Sequence, residues 1–164
     1  MTEGDWDAHH SALSEAAYGN PALLWRWRHI LRLLELPRSA PVTVLDVGCG
    51  DGRFAAFLKA RHPNAAIIGV DGSAVGVAAA ARLVPDGRFH CANLQRPDSR
   101  LASELAGAAA AAVCTEVLEH LDEPVACLGA VKGWLAPGGR LVITVPAGPM
   151  SASDRHFGHR KHYT

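Results

Sequence analysis

The segment Val44-Leu45-Asp46-Val47-Gly48-Cys49-Gly50-Asp51-Gly52 constrains the fold more than any other part of the chain. An apolar run ends in an acidic residue, three alternate glycines follow, and a helix-like segment opens at Arg53. That order suits a buried strand turning sharply into a helix, with side chains removed where a ligand must approach the backbone. Twenty-one residues after Gly50, a second apolar run, Ile67-Ile68-Gly69-Val70, ends in Asp71, with Gly72 behind it. An acidic side chain at the tip of a neighbouring parallel strand is placed to accept hydrogen bonds from two ribose hydroxyls. Together the two segments imply a nucleoside-bearing cofactor lying across the carboxyl edge of a parallel sheet.

The glycine turn departs from the dinucleotide fingerprint, whose sixth position is glycine; here that position is Arg53. Asp46 is the second departure, because a carboxylate at the end of the first strand repels a pyrophosphate and favours an ammonium or sulfonium. A ribose, a positive centre and no phosphate describe S-adenosylmethionine. At this point the chain resembles the class I methyltransferases. The resemblance is carried by Leu45 to Gly52, by Gly69-Val70-Asp71, by Glu116-Val117-Leu118-Glu119-His120-Leu121 and by Leu135-Ala136-Pro137-Gly138-Gly139. It implies roles residue by residue. The backbone of Gly48, Cys49 and Gly50 packs against the methionine portion of the cofactor, with Asp46 near its ammonium through water. Asp71, followed by Gly72, takes the ribose hydroxyls. Asn93 stands where the family usually has an Asp for the adenine amino group, Leu94 offers its backbone amide, and Thr115 lines the floor under the transferred methyl. Each carboxylate also has a structural alternative: Asp46 as a turn cap, Asp71 as a helix cap. Asn93 after a strand is commonly a turn former.

Regular alternation of apolar runs and helical periodicity sets the rest of the chain. Leu24, Trp27, Leu31 and Leu34 recur at helical spacing over Pro21 to Leu36, capped by Asn20. Strands are expected over Val42–Val47, Ala66–Val70, Arg88–Ala92, Ala109–Cys114 and Arg140–Val145. Helices are expected over Arg53–Arg61, Ser73–Leu83, near Leu101–Ala106 and over Glu123–Leu135. The pattern predicts an α/β, Rossmann-like, doubly wound parallel sheet of order 3-2-1-4-5, covered on both faces. Ala108 to Ala112 has high intrinsic helix propensity. A buried central strand must be continuously apolar, and that places a strand there. Residues 1–41 form a helical extension, and 42–164 the cofactor-binding core. Tyr18, Trp25 and Trp27, with Arg26 and Arg28, are candidates for a lid, although an aromatic stripe on an amphipathic helix is more often core.

Thr115-Glu116-Val117-Leu118-Glu119-His120 sets two carboxylates and an imidazole at a strand end, where an acceptor would meet the cofactor. If the turn is helical, Glu116, Glu119 and His120 share a face. His120 titrates near neutrality and can take a proton from a hydroxyl as the methyl arrives. The nearby carboxylates would fix its tautomer. The same segment resembles the metal-binding stretch of small-RNA ribose 2'-O-methyltransferases and of ubiquinone-biosynthesis O-methyltransferases. In the RNA enzymes a further histidine follows the fifth strand, and His159 lies comparably here. That resemblance implies a divalent cation pinning the acceptor hydroxyls, while the remaining C-terminal signature of the RNA enzymes is matched only at scattered positions; metal dependence stays open. The tail Asp154 to Thr164 holds three histidines and three basic residues. It is similar to the loop after the fifth strand in a large, mixed group of methyltransferases, where it would form a wall of the substrate pocket able to engage an anionic or hydroxylated acceptor; the structural alternative is a solvated helix entry.

Charge narrows the partners. Lys+Arg and Asp+Glu number 16 each, so there is no basic excess for a long nucleic acid and no field for an anionic membrane. Apolar runs fall far short of the ~20 residues of a membrane span. The polar, acidic N-terminus is unlike a secretory signal; the four cysteines lack Cys-x-x-Cys spacing, and the three in or beside expected strands read as buried hydrophobes in a reducing compartment. A cytoplasmic protein is expected. The sequence ends before the last two strands of the methyltransferase family, which leaves the fifth strand as an open edge and invites pairing with a second copy. The expected activity is methyl transfer to a hydroxyl or amine of a small molecule. The alternatives are the metal-dependent RNA reaction and a non-catalytic cofactor-binding fragment that needs a partner.

Overall fold

The structure is a computed structural model and describes residues 20–37, 39–156 and 158–163. Helix α1 spans Pro21–Leu34; the Asn20 side chain caps it by accepting from the Ala22 N–H at 3.0 Å. The chain then alternates β1 (Val42–Val47), α2 (Arg53–Lys59), β2 (Ala65–Asp71), α3 (Ala74–Leu83), β3 (Arg88–Cys91) and α4 (Ser99–Leu105). It continues through β4 (Ala109–Thr115), a 3-10 turn at Leu118–His120, α5 (Pro124–Trp134), β5 (Leu135–Thr144) and α6 (Ala152–His156). All four strand pairings are parallel, in the order β3-β2-β1-β4-β5. Among the described residues β3 and β5 are the two edges.

Two apolar layers enclose the sheet. On one face Ile30 and Leu34 of α1 and Phe54 and Leu58 of α2 pack with Val42, Val44, Ile67, Ala111 and Val113. On the other, Leu101 and Leu105 of α4 and Cys127, Val131 and Trp134 of α5 pack with Leu45, Val47, Ile68, Val70 and Cys114. Successive strand residues alternate between these faces, which is why β1, β2 and β4 read as unbroken apolar runs. β4 is the clearest case: its alanines are good helix formers, yet Ala111 and Ala112 are buried on opposite faces. Tertiary burial therefore overrides propensity there, as expected. The helix α1 belongs to the same core as β1, since Ile30, Leu34 and Val44 lie in one cluster.

The strand β5 starts five residues earlier than the expected Arg140. Leu135 already pairs with Ala109, and the ladder then slips before Ala111 meets Arg140. Gly138, at φ +76°, makes the irregular turn inside this stretch possible. Three of the four cysteines are buried; Cys91, at the end of the edge strand β3, is exposed, contrary to expectation.

Candidate functional site

The carboxyl ends of β1, β2 and β4 converge on one edge, and the glycine turn sits in its centre. The N–H groups of Gly48 and Cys49 both donate to the Val70 carbonyl, at 2.8 and 3.3 Å. Gly48, at φ +72°, has no room for a side chain, because a Cβ there would run into Val117 Cγ2. Gly52, at φ +82°, faces the α3 backbone, with a Cβ only 2.7 Å from Ala80 Cα. These contacts explain two of the three alternate glycines.

Asp71 ties the two loops together. Its Oδ2 accepts the Gly50 N–H at 2.8 Å and its Oδ1 accepts the Ser73 N–H at 2.8 Å. The Ser73 hydroxyl in turn accepts the Gly76 N–H at 3.0 Å and caps α3. Asp71 thus fills the structural role, and since a carboxylate has about four acceptor positions, about two remain. Gly72 lies between these two anchored residues. Asp46 is different. It is 2% exposed, and among the described residues its Oδ2 has no hydrogen-bond partner. Burial, and then the neighbouring Asp71, raise its pKa from 3.8 to about 7. The Cys49 thiol beside it is buried, and burial with the two carboxylates pushes its pKa well up.

Of the residues expected around the adenine, Asn93 spends its Oδ1 on its own loop, accepting from the Gln95 and Arg96 N–H groups at 2.9 and 3.2 Å. Leu94 buries its side chain in the core. Thr115 ends β4, opposite Thr144 of β5.

Beyond Thr115 the expected shared helical face does not form. Glu116 takes a left-handed backbone, φ +53°, and only Leu118–His120 makes a 3-10 turn. Glu116 swings toward β5, where its Oε1 accepts the Thr144 hydroxyl at 3.0 Å; its Oε2 lies 3.0 Å from Arg26 Nη1. Glu119 points inward instead. It is fully buried, neither carboxylate oxygen has a partner among the described residues, and burial is the main cause raising its pKa from 4.5 to about 7.

The tail holds this turn from outside. The Arg160 backbone N–H donates to the Glu119 carbonyl at 2.7 Å and its Nε to the His120 carbonyl at 3.2 Å. Arg160 Nη1 also pairs with Asp122 at 2.5 Å, and the Tyr163 hydroxyl donates to the Leu118 carbonyl at 3.0 Å. Three successive carbonyls are therefore satisfied by two tail residues. The His159 ring stands edge-on to His120 with centroids 4.8 Å apart. One ligand-capable atom each from Glu119, His120 and His159 lies within 4.8 Å of the others. Sequence reasoning missed Arg26, Arg160 and Tyr163 in these roles; the only hint was the density of polar and aromatic residues after Gly158. The lid expectation divides. Trp27 packs against Phe54 and Phe57 and is core, Trp25 is 62% exposed and stacks on His29, and Tyr18 lies outside the described residues.

Comparison with known proteins agrees with this geometry. A family model described as a methyltransferase domain matches residues 22–163. The chain belongs to the class I S-adenosylmethionine-dependent methyltransferases. A trans-aconitate 2-methyltransferase of Methylobacterium nodulans is 35% identical over 114 residues, covering 70% of this chain and 42% of that protein. The chain thus spans less than half the length of this relative. The N-methyltransferase NodS of Bradyrhizobium japonicum, solved with S-adenosylhomocysteine, shares the fold with a TM-score of 0.70 at 21% identity. That match covers 97% of this chain and 79% of NodS. The phosphoethanolamine N-methyltransferase 2 of Haemonchus contortus, solved with S-adenosylmethionine, aligns with a TM-score of 0.63 at 19% identity, over 80% and 31% of the two chains. Among the described residues no helix is long and apolar enough to cross a membrane.

Proposed function

We propose that this chain binds S-adenosylmethionine and transfers its methyl group to a hydroxyl or amine of a small molecule, with His120 as the proton acceptor. The observation that carries the reading is the Asp46 carboxylate, buried with one oxygen that no group among the described residues satisfies. A buried acceptor without a partner is costly, and an ammonium group, directly or through water, is the natural complement. The glycine turn lies beside it at the same strand edge, and Asp71 retains acceptor capacity for a ribose. When bound, the cofactor supplies an electrophilic methyl on a positive sulfur.

The chain's own part is positioning and proton removal. Thr115 and the Glu119–His120 turn lie at the end of β4, on the same edge as the glycine turn. His120 accepts the acceptor's proton, while Arg160 and Tyr163 hold the turn that carries it. The edge is rich in carboxylates, with Asp46, Asp71, Glu116 and Glu119, and among the described residues Arg26 pairs directly with Glu116. Such a field suits a neutral or cationic acceptor better than a polyanion. Trans-aconitate, the substrate named for the relative above, therefore serves as the contrasting acceptor in the test.

A metal-dependent transfer is the second reading, favoured by the closeness of Glu119, His120 and His159. Glu116, the other carboxylate of that ligand set, is committed to Arg26 and Thr144. The residues present fit three ligands of the four.

The deciding experiment is calorimetric titration of S-adenosylhomocysteine, followed by methyl-transfer assays with small alcohols, amines and trans-aconitate, with and without chelator. Tight binding and chelator-insensitive turnover on a hydroxyl or amine, depressed in His120→Ala at unchanged cofactor affinity, is the expected result. Turnover on trans-aconitate alone would overturn the acceptor assignment. Loss of turnover in chelator would favour the metal reading. Binding without turnover on any acceptor would leave a cofactor-binding unit that needs a partner.

A further inference from the structure

A second cluster of ligating groups lies beside the site, built from the tail alone. His159 Nδ1 and His162 Nε2 are 3.0 Å apart. Asp154 closes the triangle, with Oδ1 3.9 Å from His159 Nδ1 and Oδ2 3.8 Å from His162 Nε2. Hydrogen-bond chemistry fixes what these nitrogens can do. His162 Nδ1 lies 3.0 Å from the Gly148 carbonyl, which can only accept, so Nδ1 carries the proton and Nε2 presents a lone pair. That lone pair accepts the Nδ1 proton of His159. An imidazole oriented by a backbone carbonyl through its other nitrogen is the arrangement that holds metal-binding histidines.

The carboxylate is equally prepared. The Ser151 N–H and hydroxyl both donate to Asp154 Oδ2 at 2.7 Å, which fixes the side chain and leaves Oδ1 on the His159 side. Gly158, at φ +81°, turns the chain back so that the His159 N–H reaches the Asp154 carbonyl at 3.0 Å. The His162 side chain is only 6% exposed, so one ligand is well shielded from water.

We propose that Asp154, His159 and His162 form a three-ligand site for a borderline first-row divalent cation of the Zn2+ class. Two imidazoles and one carboxylate are a zinc donor set, whereas magnesium and calcium take oxygen ligands. With metal–ligand bonds of about 2.0–2.2 Å, ligand atoms around a tetrahedral ion sit about 3.3–3.5 Å apart. With Oδ1 as the carboxylate ligand, the two edges at His159 Nδ1, 3.0 and 3.9 Å, fall on either side of that spacing, and the three ligand atoms lie within 4.8 Å of one another. The ion replaces the proton shared by the two histidines, and three protein ligands leave one coordination position open. His159 also stands edge-on to His120, so the ion would lie beside the turn at the end of β4.

The test is Zn2+ uptake by the full chain, measured by competition with a chromophoric chelator, and the visible spectrum of the Co2+-loaded unaltered protein. One equivalent per chain is expected, with a four- or five-coordinate cobalt spectrum. His162→Ala and Asp154→Asn should each lower Zn2+ affinity at least tenfold, while Glu119→Gln and the double variant His9→Ala/His10→Ala keep it. No stoichiometric uptake at micromolar Zn2+ overturns the proposal. So does a loss that follows Glu119→Gln and spares His162→Ala, because the ion would then belong to the Glu119–His120–His159 group. If a variant proves unfolded by circular dichroism, the cobalt spectrum still decides: an aqueous-like six-coordinate spectrum counts against the site.

Discussion

Replacing Asp46 by Asn should stabilise the ligand-free protein above neutral pH and at the same time weaken its hold on S-adenosylhomocysteine. The Asp46 carboxyl has its pKa raised from 3.8 to about 7, first by burial and then by Asp71. Each pKa unit corresponds to about 1.4 kcal/mol, so the ionised carboxylate costs the fold about 4 kcal/mol at pH 8. The sign follows from proton counting. The unfolded chain gives up this proton near pH 4 and the folded chain near pH 7, so between them the folded state holds more protons. Its stability therefore falls as pH rises through that window, and the cost is fully present above it. The Asn amide brings a buried donor of its own, worth about 1–3 kcal/mol if unsatisfied. That penalty does not vary with pH. In urea titrations the stability difference between variant and wild type should therefore shift by about 3–4 kcal/mol between pH 8 and pH 4, in the variant's favour at pH 8. Titrating groups that do not feel Asp46 cancel in the difference. Cofactor affinity should move oppositely: an ammonium prefers the ionised carboxylate, so wild-type affinity rises with pH toward 7 and levels off, while the variant stays flat. Calorimetry in buffers of different ionisation enthalpy should detect proton release on binding near pH 6 in the wild type only. A stability difference that does not change with pH would refute the reasoning.

Gly48→Ala places a Cβ against Val117 at φ +72°; the left-handed backbone costs about 1–2 kcal/mol and the overpacking about 1–3 kcal/mol more. Adding Val117→Ala should recover the packing part alone, as read by urea midpoints. Tyr163→Phe removes one donor to the Leu118 carbonyl, which still accepts the Leu121 N–H at 3.3 Å, and should cost about 0.5–1.5 kcal/mol. Its effect on turnover should exceed its effect on S-adenosylhomocysteine affinity, because the bond holds the His120 turn and not the glycine loop. Trp27→Ala should destabilise by about 2–3 kcal/mol, less than a fully buried Trp. Trp25→Ala should stay within about 0.5 kcal/mol in thermal melts.

The parts of this fold legible in the sequence are those where one residue type answers one physical demand. A continuous apolar run can only be buried on both faces, so even the alanine-rich β4 could be placed against its propensity. The strand-to-helix turn was legible from its glycines, but their reason was not: the sequence suggests room for a ligand, whereas at Gly48 and Gly52 the close neighbours are the chain's own Val117 and Ala80. Carboxylates resist such reading, since an Asp at a strand end serves a loop N–H as readily as a ribose. Asp71 illustrates the point: the structure gives it two backbone N–H groups and leaves acceptor capacity over, so its structural role does not exclude the proposed binding one. Glu116 and Glu119 differ for a reason no spacing rule contains. The left-handed backbone at Glu116 turns it toward Thr144 and Arg26, and Arg26 comes from a helix ninety residues earlier in the chain. Glu119, one 3-10 turn later, is left buried and, among the described residues, unpartnered. Clamps such as Arg160 and Tyr163 on the Leu118–His120 carbonyls are long-range pairings, visible only once the tail is folded back. The consequence for mutagenesis is specific. Asp71→Ala would break the glycine loop and the α3 cap together and could not separate binding from folding. Asp46, which holds no backbone group among the described hydrogen bonds, is the carboxylate whose removal tests the cofactor's ammonium by itself.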